Sequence, residues 1–340
     1  MRTLKQGILI LGLSWMALSP AFSADSLIFA MDVIRHGDRT PTKVIPTVPY
    51  VWSDGLGQLT AKGMQQEYQL GQAFRKEYIE ETHLLPDHYS FGTLKALSTD
   101  TDRTRMSAES CLLGLYPLGT GPKLGNDFAL PQGFQPIPVA AVPKKAQWPM
   151  EEYNEDIETR LSLTPAWVQK TKALAPNFER WSQAMGITIQ NIAQLDELGN
   201  VLWIYQQNGI PLPQGLTETD IKTMEDTGVW AMLTPLRDPK ILRITGRPLF
   251  HLIVKDLSQA AENKSAVKYE LIAAHDTTLL SLLSVMGVPI SEQPPYASDL
   301  NFELFQSEKT QYLSVKFNGN LVSIPACGGT KCSLTALQGI

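Results

Sequence analysis

The sequence predicts an α/β fold, with a doubly wound, mostly parallel sheet as the core and an inserted α-helical cap domain. Three apolar runs, residues 27–34, 93–98 and 269–274, have the length and composition of buried strands, and each ends in polar, chemically reactive residues. Between residues 117 and 236 helical patterns dominate and no strand is predicted. Because ligands bind at the carboxyl ends of the strands in open α/β sheets, we expect the site at that edge.

The first 23 residues have the pattern of a secretory signal peptide. Arg2 and Lys5 precede an apolar stretch, and Ala21 and Ser23 place small side chains where signal peptidase prefers them. The apolar stretch is about a dozen residues long, short of the ~20 that a membrane-spanning helix needs. The sequence therefore predicts cleavage and export, to a periplasm or the medium, or to a lysosome in a eukaryote. The predicted division is residues 1–23 as signal peptide, 24–116 and 237–340 as α/β core, and 117–236 as cap.

Composition excludes several classes of protein. The chain has 340 residues and a formal net charge of −5, and removal of Arg2 and Lys5 with the signal would lower this charge by two, to −7. An acidic chain without a basic run is not expected to bind nucleic acid, and no membrane contact is expected after signal cleavage. In an exported chain, Cys327 and Cys332 would form a small-loop disulfide, whereas Cys111 has the pattern of a buried structural thiol.

The strongest chemical signal follows the first strand. There the chain reads Arg35-His36-Gly37-Asp38-Arg39-Thr40-Pro41, a histidine between permanently charged arginines. Planar guanidinium groups match the oxygens of a tetrahedral phosphoryl group, which they would hold against the His36 ring. The glycine would leave room for a ligand to approach the backbone.

The other two strands bring further candidates to the same edge. After the second strand, a helix predicted over 102–115 places Arg103 in its first turn, and Arg105 lies on another side of that helix. The third strand, 269–274, ends in His275-Asp276 and is followed by a predicted helix over 279–286. The remaining predicted elements are a helix capped by Thr60 and running to about Glu81, a helix over 247–261, and an antiparallel C-terminal appendage of strands at 301–305, 311–317 and 320–324 with a turn at Asn318-Gly319.

The cap is predicted to contain helices over 166–173, 178–185, 187–207 and 217–232. Its tryptophans are expected in the core rather than as platforms for a substrate. They are Trp148, Trp167, Trp181, Trp203 and Trp230.

The residues at the strand ends resemble the histidine acid phosphatases, branch 2 of the histidine phosphatase superfamily, and in particular the prostatic and lysosomal group. The resemblance rests on 35–41 with 275–278, and extends to 57–64, 98–104 and 294–298. It implies that His36 attacks phosphorus as a neutral imidazole and that Asp276 is the general acid and base. Arg35, Arg39 and Arg103 are expected to bind the phosphoryl oxygens and to lower the pKa of His36, with a further hydrogen bond from His275. The implied activity is hydrolysis of small phosphate monoesters in acid, without cofactor or metal.

The sequence is also compatible with other functions. Within the superfamily, a phytase or a mutase is an alternative. His36, Asp38, His275 and Asp276 superficially resemble the ligands of a metal-dependent phosphoesterase, although the arginines would repel a divalent cation. A protein that binds phosphate esters without turnover is a further alternative, against which the carboxylate of Asp276 argues. A homodimer is compatible with the sequence.

Overall fold

The computed structural model describes residues 25–142 and 161–340, so the predicted signal peptide and Trp148 lie outside the described residues. The strands are β1 (Ser26–Arg35), β2 (Leu94–Thr99), β3 (Lys123–Leu124), β4 (Asp127–Phe128), β5 (Val139–Val142), β6 (Tyr269–Ala274), β7 (Asp299–Ser307), β8 (Thr310–Phe317), β9 (Asn320–Leu321) and β10 (Lys331–Cys332). The helices are α1 (Ala61–Arg75), α2 (Asp102–Leu115), α3 (Pro165–Met185), α4 (Gln194–Gln207), α5 (Glu218–Leu233), α6 (Pro239–Thr245), α7 (Arg247–Ala261), α8 (Asp276–Val285) and α9 (Leu334–Gln338).

One large sheet has the order β10-β8-β7-β1-β6-β2-β5, with β9 paired to β8. Strands β1, β6, β2 and β5 are parallel to one another, and β7 joins β1 in the antiparallel sense. Since β6 lies between β1 and β2, the carboxyl ends of these three strands are side by side. This is the edge at which the sequence analysis placed the site.

Helices cover both faces of this sheet, as the side chains of β1 show. Phe29, Met31 and Val33 pack in a core shared with α7, α8 and α9. Ala30 and Ile34, which alternate with them, pack in a second core shared with α1 and α2. This two-residue alternation is that of a strand buried on both faces. The predicted α/β class with helices on both faces is confirmed.

Helices α3, α4 and α5 have a hydrophobic core of their own, to which Trp181, Leu195 and Met224 belong. Two glycines let α4 and α5 approach closely. A Cβ on Gly228 would lie 2.6 Å from the Cα of Asp196, and one on Gly199 would lie 3.0 Å from the Cα of Glu225. The division of the chain into a core and a cap at residues 117–236 stays a prediction.

Several predicted elements have the bounds that the sequence indicated. They are α2, α7 and β6. Helix α1 begins as predicted after Thr60, whose hydroxyl accepts a hydrogen bond from the Gly63 amide at 3.1 Å, and it continues as a π-helical stretch over Lys76–Glu81. The predicted turn at Asn318-Gly319 joins β8 to β9, with both residues at positive φ. The Cys327–Cys332 disulfide is formed, and Cys111 is buried.

Other expectations for the core were wrong. The segment 117–236 does contain strands, and Val139–Val142 pairs in parallel with β2 in the main sheet. This strand has only four residues and lies at the sheet edge, so its apolar pattern is short. The C-terminal strands are not an appendage, because β7 pairs with β1 along almost its whole length. Helix α8 begins at Asp276 rather than Leu279.

The cap helices also differ from their predicted bounds. Helix α3 is one helix over Pro165–Met185, although the sequence analysis divided it near Pro176. A proline removes one helical hydrogen bond, and here burial of Trp167, Phe178 and Trp181 on both sides of it supports a continuous helix. Helix α4 begins at Gln194 rather than 187, because the Asn191 side chain accepts hydrogen bonds from the amides of Ala193 and Gln194 at 3.0 and 3.3 Å. Among the described residues, no helix has both the length and the apolar character needed to span a bilayer.

Candidate functional site

His36 lies at the centre of the candidate site, directly after β1, and is only 3% exposed. Its Nδ1 is 2.8 Å from the carbonyl oxygen of Gly37. Since a carbonyl oxygen can only accept a hydrogen bond, Nδ1 carries the proton and Nε2 has the free lone pair. Burial, the His275 ring and the charges of Arg103 and Arg35 lower the pKa of His36 well below its ordinary value. The ring therefore stays unprotonated at acid pH values at which an ordinary histidine is charged.

The turn that holds His36 packs tightly against the start of α1. A Cβ on Gly37 would lie 2.5 Å from the carbonyl oxygen of Gly63, and one on Gly63 would lie 2.2 Å from that of Asp38. From the sequence, Gly37 is expected to make room for a ligand. The structure gives another reason for this glycine, because the space beside its Cα is filled by the helix backbone. The Gly37 amide also donates to the Ser107 hydroxyl at 3.2 Å, which ties the turn to α2.

Asp276 is the first residue of α8, and three groups hold its carboxylate. Oδ2 lies 2.8 Å from Arg35 Nη2 and accepts a hydrogen bond from Gln293 Nε2 at 2.7 Å, while Oδ1 accepts from the Thr277 amide at 2.7 Å. Burial raises the pKa of Asp276, but the charge of Arg35 and the Gln293 hydrogen bond outweigh burial and lower it well below its ordinary value. In the absence of substrate this carboxyl is ionised.

Arg103 and His275 form a second group on the other side of His36. The His275 ring is 5.5 Å from the His36 ring, centroid to centroid. Arg103 Nη2 lies 3.4 Å from His275 Nδ1, and the other ring nitrogen of His275 lies 3.1 Å from the Thr99 hydroxyl. An arginine can only donate, so His275 accepts from Arg103 and donates to Thr99. In this arrangement His275 orients Arg103, and its predicted hydrogen bond to a phosphoryl oxygen stays a prediction.

Arg39 is set apart from the other predicted residues. It donates to the Asn200 side chain of α4 at 2.9 Å and to the Thr40 carbonyl at 3.0 Å. From the sequence, Arg39 is expected to lower the pKa of His36. In the structure it is not among the main causes of that lowered pKa. The structure thus brings together His36, Arg35, Arg103, His275 and Asp276, and it places Arg39 against Asn200 of α4.

Sequence reasoning missed several residues that the structure adds to the site. Tyr296 lies beside His36, with ring centroids 5.8 Å apart, and the Arg35 guanidinium stacks over its ring at 4.4 Å. Trp203 of α4 lies 6.0 Å from Tyr296, so the expectation that this tryptophan belongs to the core is wrong. Gln293 and Tyr296 belong to one loop, in which Ala297 adopts the left-handed φ of 55°. The Pro294-Pro295-Tyr296 run was a signal for this loop, whereas Asn200 and Trp203 gave none.

A metal-dependent alternative would require His36, Asp38, His275 and Asp276 to act together as metal ligands. Asp38 is engaged elsewhere, since its Oδ2 accepts a hydrogen bond from the Thr60 hydroxyl at 2.6 Å. Within residues 25–142 and 161–340, no three His, Cys, Asp or Glu side chains are grouped as a metal centre would require.

Fold and geometry together define an α/β protein in which a buried histidine, close to two arginines and an ionised carboxylate, lies at the carboxyl edge of the parallel strands. Residues 26–318 match the model of the histidine phosphatase superfamily, branch 2, and the chain belongs to this family. The predicted family and the predicted enzyme class, histidine acid phosphatase, are confirmed.

Relatives and solved structures agree with this membership. The chain is 32% identical to lysosomal acid phosphatase from Bos taurus over 89% of this chain and 73% of the relative. It is 31% identical to testicular acid phosphatase from Homo sapiens over 82% of this chain and 67% of the relative. The structure of a Hafnia alvei phytase in complex with tartrate has a TM-score of 0.66 at 17% identity, covering 94% of this chain and 97% of that one, and shows a shared fold.

Proposed function

We propose that this chain hydrolyses small phosphate monoesters in acid through a phosphohistidine intermediate on His36. The observation that carries the proposal is the state of the His36 ring. It is buried, its Nδ1 proton is fixed on the Gly37 carbonyl, and its Nε2 lone pair is free. Arg35 and Arg103 supply the positive charge that a phosphoryl group needs at that nitrogen.

Asp276 is the proposed proton donor in the first step. His36 Nε2 forms a bond to phosphorus while the bond from phosphorus to the alcohol oxygen breaks, and the Asp276 proton goes to that oxygen. In the second step a water oxygen attacks phosphorus, Asp276 takes the water proton, and the bond to His36 breaks. The products are the alcohol and inorganic phosphate, and the residues return to their starting state.

The proposed acid optimum follows from the pKa values of the two groups. The pKa of His36 is lowered, so the ring stays neutral at acid pH. The pKa of Asp276 is lowered in the free protein, and the negative charge of a bound phosphate, close to two above its second pKa of ~6, raises the pKa of Asp276 again. Protonation of Asp276 in the complex therefore requires acid, in which His36 is still unprotonated.

Export of the mature chain is part of this proposal. It is supported by the signal-like pattern of residues 1–23 and by the lysosomal location in the names of several relatives. The N-terminal sequence of the exported protein would test the cleavage after Ser23.

A trapping experiment tests the intermediate. The protein is incubated with a ³²P-labelled aryl phosphate at acid pH, quenched in alkali, in which phosphohistidine survives, and the labelled peptide is mapped. We expect label on His36, none in His36→Ala, and a loss of turnover of roughly a thousandfold or more in that variant. His251→Ala, which replaces an exposed histidine of α7, should behave as wild type. Undiminished turnover by His36→Ala would contradict the proposal.

A further inference from the structure

A cavity of about 520 Å³ lies beside the site, between α1, the cap helices α4 and α5, and the loop that carries Tyr296. Two of its lining residues, Arg35 and Gln293, are the side chains that hold the Asp276 carboxylate. In the proposed reaction, Asp276 protonates the oxygen of the departing alcohol. The rest of that alcohol would therefore extend into this cavity, whose walls would decide which alcohols fit.

The wall formed by the cap helices is acidic. Asp196 of α4 and Glu225 of α5 line the cavity where the two helices cross at Gly199 and Gly228. Glu225 Oε1 is buried and has no hydrogen-bond partner among the described residues. Neither carboxylate has an ion pair in the part of the chain that the structure describes. A third lining carboxylate, Asp226, forms an ion pair with Lys222 at 3.0 Å.

Aromatic rings and a weakly basic wall complete the cavity. Trp203 lies on the same helix as Asp196, two turns further along, and its ring is 6.0 Å from Tyr296. One face of Tyr296 is covered by Arg35, whereas among the described residues no cation lies over the ring of Trp203. Lys62 and Gln66 of α1 line the opposite side. A cavity lined by both carboxylates and an aromatic ring offers the groups that bind an alkylammonium group.

We propose that this cavity selects alcohols that carry an ammonium group, with Asp196 and Glu225 as the residues that determine specificity. The inference rests on the proposed function and narrows its substrate class to phosphate monoesters of amino alcohols. Polyanionic esters such as inositol hexakisphosphate are disfavoured, because their additional phosphates would face the carboxylates of α4 and α5.

Two substrates of equal shape test the inference. Phosphocholine and 3,3-dimethylbutyl phosphate differ in one atom, a charged nitrogen in place of a carbon. At pH 6.5 we expect kcat/KM to be roughly tenfold higher for phosphocholine, the size of a partly desolvated cation contact, and lowest for inositol hexakisphosphate. Equal values for the two matched esters would overturn the inference.

The preference should also depend on pH. The protein around Asp196 and the negative charge of Asp276 raise the pKa of Asp196, with Glu197 acting in the same direction and Arg39 and Arg35 in the opposite one. Asp196 is thus more ionised at pH 6.5 than at pH 4.5, and the preference for phosphocholine should be larger at the higher pH. A preference that is larger at pH 4.5 would count against the role of Asp196.

Substitution of Asp196 and Glu225 tests whether these two carboxylates cause the preference for phosphocholine. In Asp196→Asn combined with Glu225→Gln, the ratio of kcat/KM for phosphocholine to that for 3,3-dimethylbutyl phosphate should fall to near one. Glu218→Gln makes the same charge change at an exposed position of α5 outside the cavity and should leave the ratio unchanged. A ratio that stays high in the double variant overturns the inference, while the proposed function stands. Absence of hydrolysis of every monoester by wild type would instead overturn the proposed function.

Discussion

At the scale of single residues, the chemistry of His36 is set by neighbours that arrive from three strands. Gly37 fixes the proton on Nδ1, and Arg103 follows β2 while His275 follows β6. Burial, the His275 ring and the charges of Arg103 and Arg35 lower the pKa of the ring and outweigh the Gly37 hydrogen bond, which raises it. Histidine is suited to this role because its ordinary pKa lies close enough to acid pH for such neighbours to matter.

The first residue-scale prediction concerns the acid limb of the pH profile. Removing the charge of Arg103 makes the protonated His36 ring less unfavourable, so the pKa of His36 rises. In Arg103→Gln we therefore expect activity to be lost at a higher pH on the acid side, beyond any uniform loss of phosphoryl binding. The pH dependence of kcat/KM measures this change.

Arg105→Gln is the matched control for Arg103→Gln. Arg105 lies two residues further along α2, is exposed, and pairs with Asp100 rather than facing His36. Its removal should leave the acid limb in place. A limb that does not move in Arg103→Gln would show that this arginine does not set the pKa of the ring.

The second residue-scale prediction concerns the leaving group. If Asp276 donates a proton to the alcohol oxygen, Asp276→Asn should slow alkyl phosphates by a factor of roughly 10² to 10⁴. Aryl phosphates with an acidic phenol need less protonation and should be slowed less. Rates for a series of esters with graded alcohol acidity measure the effect. An equal loss across the series would indicate that Asp276 acts only through its contact with Arg35.

At the scale of elements, the site depends on close contacts between backbones. Gly63 lets the start of α1 touch the turn after His36, and Gly199 and Gly228 do the same for α4 and α5. Such contacts tolerate no Cβ, because the atoms in the way belong to the backbone and cannot rotate aside.

Gly63→Ala should therefore displace the turn that carries His36. We expect a loss of about 2 kcal/mol in the free energy of unfolding and a larger relative loss of kcat, since the new Cβ would meet the Asp38 carbonyl at 2.2 Å. Gly329→Ala is the control, as no atom lies within 4 Å of its Cβ. Chemical denaturation and kcat together measure the two effects. A Gly63→Ala variant with normal stability and activity would show that helix and turn are not held at this distance.

The helices and strands also show how much of the fold and of the site could be predicted from the sequence. Elements with a clear apolar period, such as the helix over 102–115 and the strand over 269–274, were predicted with their observed bounds. Because three strand ends share one edge of the sheet, one site could be predicted without knowing the loop conformations. It contains Arg35, His36, Arg103, His275 and Asp276. Asn200 and Trp203 could not be found in this way, because their role depends on how α4 lies over the sheet.

At the scale of the whole molecule, buried carboxyl groups link the two halves of the sheet. Asp32 of β1 accepts hydrogen bonds from Asn301 of β7 at 2.8 Å and from Tyr78 at 2.9 Å. Burial raises the pKa of Asp32 to about 6 and raises those of Asp299 and Glu67 well above their ordinary values. None of these three groups has an ion pair with a cation among the described residues, so their neutral forms are favoured in the folded state.

These raised pKa values predict that the fold is more stable in acid than at alkaline pH. A carboxyl whose folded pKa exceeds its unfolded value contributes stability that is complete below its unfolded pKa, at about pH 4. This stability is lost as the pH rises from there through the folded pKa, which is about 6 for Asp32 and well above the ordinary value for Asp299 and Glu67. Asp276 acts in the opposite direction, since its pKa is lowered and its contribution is lost only in stronger acid. We expect Tm to be higher at pH 5 than at pH 8 by about 5 °C or more, as measured by calorimetry.

Asp299→Asn assigns this pH dependence to the buried carboxyl groups. Asparagine has nearly the shape of aspartic acid and cannot ionise, so the difference in Tm between pH 5 and pH 8 should shrink, mainly because the variant loses less stability at pH 8. Glu67→Gln should act in the same direction through an independent site on α1. Asp87→Asn, at an exposed position, should leave the difference unchanged. A wild-type Tm that is higher at pH 8 than at pH 5 would mean that the buried carboxyls are not protonated in the folded state, and that charges elsewhere govern stability.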